Sequence, residues 1–227
     1  MKPAEAAVTP SRSCWNPKDV AYCLGSLVFV LLLYGQSVYR SPAFGQLADQ
    51  GYHLAALESW PNAWMAGWDA RANGGRGSPG FILYPPVFTA LGATLTQTGL
   101  SPVEALRGAF LLSAVALYAG AFYLCLTSAG PQRAAIGAVT TCLLPGVTFP
   151  GLARGMYPAF LALACFALLL GALGRLDRRG SGSAPVVAGG AAAALILTHT
   201  LTAYMVLCLL LAAAPWVISG LGRQGLA

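Results

Sequence analysis

The sequence predicts an all-α protein, a multi-spanning transmembrane helical bundle, and three observations predict it. Hydrophobic residues make up 57% of the 227 positions and charged residues only 9%, against about 25% charged in a soluble domain. So few charges cannot cover a soluble surface of this size, and most of the apolar surface must face lipid. Apolar runs approaching the roughly 20 residues needed to cross a bilayer recur along the chain. Short polar turns rich in Pro, Gly and Arg separate them.

Charge and cysteine usage narrow the function classes. The formal charge is +6, but the cations are scattered and no aromatics are interleaved along a basic stripe, so the pattern is not that of a nucleic-acid binder. The positive-inside rule accounts better for the excess. Five of the six cysteines (Cys23, Cys125, Cys142, Cys165 and Cys208; the sixth is Cys14) lie in apolar runs, and no C-x-x-C pair occurs. They read as small core residues, with no disulfide framework and no zinc site.

Residues 1–19 are polar and read as a cytoplasmic tail, 20–221 as one transmembrane domain, and 222–227 as a short tail. The apolar run 20–39 is too long for a signal-peptide core and ends in Gln36, Tyr39 and Arg40, so it predicts an uncleaved anchor helix. The first extracytoplasmic loop, 40–80, is the longest polar stretch. It carries Asp49, His53, Glu58, Asp69, Arg71 and Arg76, with Trp60, Trp64 and Trp68 spaced by four. That spacing puts the tryptophans on one helical face, and Trp favours the membrane interface. The expectation is an interfacial helix over 49–60 and 62–70, broken at Pro61.

A second apolar run, 81–98, contains Tyr84-Pro85-Pro86. Ser101-Pro102-Val103-Glu104 reads as a capping box with proline in the first helical position, opening a helix to about residue 126. Short spans are expected over 134–149 and 157–173, with Arg154 in the loop between them. Arg175, Arg178 and Arg179 follow in a Gly/Ser linker. The last run, 186–221, is too long for one ordinary span. Thr198-His199-Thr200 divides it into a hairpin or two helices meeting at His199. If 81–98 only dips into the membrane, Lys18, Arg133 and Arg175 face the cytoplasm, while Asp49, Arg154 and His199 share the other side. If it spans fully, the later loops invert. The positive-inside rule prefers the first arrangement.

Few residues here can carry chemistry. Asp49 and His53, four apart, share a helix face and can form a general base, part of a metal site or a proton relay; the ordinary structural reading is a solvated interfacial helix. One acid and one histidine are too few to define a metal site, so the sequence assigns no metal ligands. Arg154 suits phosphate through its planar fork of donors, or it snorkels. His199 is either a hydrogen-bonded packing residue or part of a cavity shared with the first loop. Tyr84 sits where the polar loop re-enters the membrane, and its proline neighbours rigidify that entry.

The order of these segments resembles a family. Asp-x-x-x-His (Asp49, His53) follows an anchor helix; then come a Gly-rich turn, Tyr-Pro-Pro (Tyr84–Pro86), a Pro…Arg-Gly segment (Pro150, Arg154, Gly155) and Leu-Thr-His-Thr (Leu197–Thr200). Over roughly residues 20–215 the chain is similar to bacterial multi-spanning proteins described as "6-pyruvoyl-tetrahydropterin synthase related domain; membrane protein", a label without pterin chemistry. Like YfhO-type proteins, these are similar to the GT-C fold of polyprenyl-phosphate-sugar-dependent glycosyltransferases. The resemblance implies an extracytoplasmic active site in a bacterial inner-membrane protein. Asp49 would be the base on the acceptor hydroxyl, or would help bind a divalent metal as in some members. His53 would assist it or contact the donor phosphate, and Arg154 would neutralise the lipid-phosphate leaving group. Tyr84 and His199 complete the substrate-binding set. GT-C proteins are usually much longer, so the resemblance also implies an amino-terminal module, with a partner or a carboxy-terminal half beyond it. No second acidic residue stands after Arg154 where some members carry one. Two further readings stay open: a non-catalytic scaffold or assembly partner, and a small transporter. The scarcity of mid-span charges and of visible inverted repeats counts against the transporter.

Overall fold

The computed structural model describes residues 15–41, 48–63, 76, 86–176 and 182–224. Among them are nine helices and no strand. These are α1 (Pro17–Arg40), α2 (Ala48–Ala63), α3 (Val87–Thr96), α4 (Pro102–Leu126), α5 (Pro131–Leu143), α6 (Pro145–Arg154), α7 (Tyr157–Leu176), α8 (Ala184–Thr198) and α9 (Thr200–Gln224). Three of them, α1, α4 and α7, are long and apolar enough to cross a membrane.

Local sequence sets the helix starts. Asn16 caps α1 in a capping box with Asp19: the Asp19 N–H donates to the Asn16 side chain at 2.8 Å, and the Asn16 N–H donates to the Asp19 carboxylate at 3.3 Å. The expected Ser101–Glu104 box opens α4 with Pro102 in the first turn. Each box satisfies N–H groups that a helix start otherwise leaves without partners.

Three sequence expectations need correction. The region 134–149 is not one span but two helices, α5 and α6. Leu144 precedes Pro145, whose ring disfavours helical backbone at the residue before it. Leu144 accordingly sits at φ −58°, ψ 129° and accepts from Val147 and Thr148 to start α6. Arg154 is the last residue of α6 and not a loop residue. Gly155 then turns the chain with φ +72°, a conformation that favours glycine, and α7 begins at Tyr157. Helix α2 runs past Pro61 to Ala63 instead of breaking there. The described part of the run 81–98 is α3, only 10 residues, about 15 Å long at 1.5 Å per residue. That is half of the roughly 30 Å hydrocarbon core, a length that fits the expected dip.

The bundle has two ends. At the Asn16 end, Trp15 meets Phe122 of α4 with ring centroids 5.9 Å apart. Gln132 donates to Asp19 at 3.2 Å, and the Arg175 guanidinium lies 4.1 Å from the Tyr123 ring. At the Arg40 end, Arg107 lies 5.1 Å from the Tyr39 ring, and the Tyr34 hydroxyl donates to the Cys142 carbonyl. These contacts make α1 antiparallel to α4 and parallel to α5. Helix α7 runs back from the Arg40 end, where Tyr157 starts it, to the Asn16 end at Arg175.

Small residues bring α4 and α7 together. A Cβ on Gly120 would stand 2.5 Å from the Ala164 carbonyl oxygen, and one on Gly171 would stand 3.0 Å from the Leu124 Cα. Close backbone approach of this kind drives helix association where lipid removes the hydrophobic incentive. Toward the Arg40 end the packing becomes aromatic. Tyr34 is buried edge-on to Phe110 (5.7 Å) and Phe160 (5.6 Å), and such pairs add about 0.5–1.5 kcal/mol each beyond burial.

Candidate functional site at the Arg40 end

Helix α2 presents one stripe to the bundle. Asp49, half-buried in its first turn, begins the stripe; buried His53, Ala56 and Leu57 and half-buried Trp60 continue it. Their spacing of three and four is that of a single helix face. The face packs on α3, where Gly92 lies so close that a Cβ there would be 2.6 Å from a Leu57 methyl.

His53, 2% exposed, fits among aromatic rings. Its centroid lies 5.4 Å from that of Phe88 on α3, 5.8 Å from that of Tyr157 at the start of α7, and 5.6 Å from that of Tyr52. Tyr157 in turn lies 5.1 Å from Phe110 and 5.7 Å from Phe88. Burial disfavours the charged imidazolium and lowers the His53 pKa to about 4; the charge of nearby His199 adds to this. At neutral pH His53 is therefore a neutral imidazole.

His199 reaches the same region from the other side of the sequence. It is the single non-helical residue between α8 and α9, with φ −160° and ψ 101°. Its N–H closes α8 by donating to Leu195 at 3.1 Å, and its carbonyl opens α9 by accepting from Ala203 at 3.0 Å. The side chain completes the junction. Nδ1 accepts from the Thr202 N–H at 3.2 Å and lies 2.7 Å from the Thr202 hydroxyl. This is the geometry of an N-cap, with imidazole in place of the usual Ser, Asp or Asn. Because Nδ1 accepts a backbone proton, the neutral ring carries its own proton on Nε2.

Of the residues expected to form the site, Asp49, His53 and His199 are thus brought to one end of the bundle. Arg154 is at that end too. Gly151, one turn earlier on α6, packs against Phe110 and Phe160, where a Cβ would stand 3.2 Å and 3.1 Å from their rings. The Arg154 side chain is exposed, so it belongs to the rim of the site and not to the aromatic pocket. Tyr84 lies outside the described residues, as do Trp64, Trp68, Asp69 and Arg71.

Sequence reasoning missed Tyr157 and Phe88, which clamp His53, and Thr202, which fixes the His199 ring. Tyr157 stands in Arg154-Gly155-Met156-Tyr157-Pro158, a segment singled out only for its arginine. Among the described residues no group of three or more His, Cys, Asp or Glu side chains is placed to hold a metal ion.

No family model matches this chain, and neither do any of the curated proteins or solved structures with which it was compared.

Proposed function

We propose that the chain is a multi-pass inner-membrane protein of GT-C-like architecture. Its Arg40 end holds a site for sugar transfer from a polyprenyl-phosphate donor, either in this chain alone or as the amino-terminal module of a larger enzyme. The observation that carries this reading is that His53 and His199, the chain's two histidines, lie near enough for the charge of one to lower the pKa of the other, at the end of the bundle that also holds Asp49 and Arg154. A purely structural bundle has no need to gather its rare polar side chains in one place, whereas an active site does.

The orientation follows from charge. Lys18, Arg133 and Arg175 belong to the Asn16 end and Arg40, Arg107 and Arg154 to the other; the further cations next to the first set in the sequence (Lys2, Arg12, Arg178, Arg179) tip the positive-inside rule toward a cytoplasmic Asn16 end. The Arg40 end then faces out, and α2 lies in the interface with its Asp49–His53–Trp60 stripe turned inward. A lipid-linked donor reaches such a site from the outer leaflet.

The chemistry divides among the side chains by their environments. Asp49, half-buried, takes the proton of an acceptor hydroxyl. The acceptor oxygen bonds the anomeric carbon as the bond from that carbon to the phosphate oxygen breaks. The lipid phosphate leaves with the bonding pair. Neutral His53, one turn along α2, orients and does not supply charge. The cation for the departing phosphate is Arg154 at the rim, and preorganised cations of this kind stabilise charge that develops in the transition state.

The test is transfer by membranes containing the full chain, supplied with a panel of polyprenyl-phosphate hexoses and read as released polyprenyl phosphate. Asp49→Asn keeps size and helix position while removing the base. It is expected to lower release by about 100-fold or more with the protein's expression and melting unchanged. Retention of wild-type release by that variant eliminates Asp49 as the base.

One observation favours a second reading, a non-catalytic assembly partner. Along α9, Leu201, Tyr204, Met205 and Leu211 are each about 60% exposed, an apolar surface available to another membrane subunit as well as to lipid. Absence of release with every donor, together with a stoichiometric co-purifying membrane protein, favours it.

A further inference from the structure

A groove opens along the seam between α1 and α5, away from the site described above. It has a volume of about 550 Å³, within the roughly 300–1,000 Å³ of ligand pockets. Gly25, Ser26 and Phe29 of α1 face Ile136, Val139 and Thr140 of α5 across it. Gly25 makes it deep: a Cβ there would meet nothing within 4 Å. About one turn toward the Asn16 end, the same two helices form a separate, smaller polar pocket of about 210 Å³, lined by Asp19, Gln132 and Arg133 with Gly130 and Pro131. The seam therefore carries an apolar groove about two turns long beside a charged pocket at the Asn16 end.

The charged pocket is zwitterionic. Asp19 accepts from the Asn16 N–H on one carboxylate oxygen and from Gln132 on the other, and a carboxylate has about four acceptor positions, so room for further donors remains. Arg133, exposed in the first turn of α5, supplies the opposite charge. Helix α5 begins there at Gly130, which provides no side-chain cap to its first turn. A single acyl chain would have no use for this pocket, and a purely anionic head group would meet Asp19 as well as Arg133.

We infer that the α1–α5 seam binds one ethanolamine phospholipid. An acyl chain lies in the groove past Gly25, the phosphate pairs with Arg133, and the ammonium donates to Asp19. The head group carries both charges that the pocket can pair, and its primary ammonium has the N–H donors that a carboxylate can use. A choline head group has the same charges but no such donors. A glycerol head group has neutral hydroxyl donors but no cation to set against Asp19.

Native mass spectrometry of the full chain in detergent tests this, with ethanolamine, choline and glycerol phospholipids of identical acyl chains titrated in turn. The expected result is a one-to-one adduct favoured for the ethanolamine lipid by about two- to fivefold over each of the others, the range of an exposed charge pair. Gly25→Leu puts a side chain into the groove, where its Cβ meets nothing within 4 Å, and is expected to lower the adduct at least as much. Asp19→Asn is expected to remove the preference, and Arg133→Gln, which loses the partner of the phosphate common to all three lipids, to lower all three adducts. Val186→Phe, at a position 76% exposed on α8, serves as control and leaves both intact. Equal retention of the three lipids, a preference for the glycerol lipid, or an adduct that survives Gly25→Leu or Arg133→Gln unchanged overturns the assignment.

Discussion

Burial among Phe88, Tyr157 and Tyr52 lowers the His53 pKa to about 4, while an unfolded histidine titrates near 6.5. Between those values the unfolded chain holds a proton that the folded chain does not, so stability falls as the pH drops through that window. The loss is about 1.4 kcal/mol per pH unit. Thermal melting in detergent from pH 7 down to 4.5 is expected to show this slope, and His53→Phe to flatten it; an unchanged slope in that variant means another group titrates. His199 separates two roles in a different way. His199→Ala removes the α9 cap and is expected to cost about 1 kcal/mol. His199→Asn restores a capping acceptor but not an imidazole. Melting of His199→Asn close to wild type, with sugar release reduced, assigns the ring a role beyond capping. Melting as low as that of His199→Ala shows that asparagine does not reproduce the cap. Asp49, His53 and His199 were legible in the sequence because ionisable side chains stand out against apolar surroundings. Phe88 and Tyr157 were not, since aromatic residues fill membrane helices whether or not they hold a histidine. Only the fold shows which rings touch it.

Helix starts carry strong local chemistry and were correspondingly readable. The Ser101–Glu104 box and the end of the preceding unit at Gly130-Pro131 both stand where expected, and the break at His199 divides the last apolar run as its length requires. The Asn16–Asp19 box was overlooked because it lies in a polar stretch taken as tail. Two prolines act differently. Pro61 does not break α2, which runs on to Ala63, whereas Pro145, expected to help stop the span 134–149, instead starts a second helix within it. The difference lies in Leu144, whose extended backbone the following proline favours. Packing between elements depends on glycines that no local rule identifies. Gly120 is the sharpest case, because a side chain there meets the Ala164 backbone, which cannot rotate away. Gly120→Val is expected to destabilise the bundle by about 1–3 kcal/mol, seen as a lower melting temperature in detergent. Gly25→Val, at an open position, serves as the comparison. Equal melting of the two variants contradicts the close α4–α7 contact.

At the level of the whole molecule, hydropathy predicted a helical membrane protein, and α1, α4 and α7 are long and apolar enough to cross a bilayer. Hydropathy alone did not fix the path of the chain, since a run such as 81–98 can dip or span with the same composition. The ten residues described as α3 are too few to span on their own and so favour the dip. With α3 short, Asp49, His53, Arg154 and His199 fall at the Arg40 end, while Lys18, Arg133 and Arg175 fall at the other. The proposed chemistry depends on that separation more than on any single side chain. Labelling of intact cells with a membrane-impermeant thiol reagent measures it, using Glu58→Cys and Arg154→Cys against Arg133→Cys. All three positions are exposed, and the parent chain with its native cysteines gives the baseline. The account predicts labelling of Glu58→Cys and Arg154→Cys from outside, and of Arg133→Cys only after the cells are opened. Labelling of Glu58→Cys and Arg154→Cys from opposite sides of the membrane would contradict it and dissolve the site.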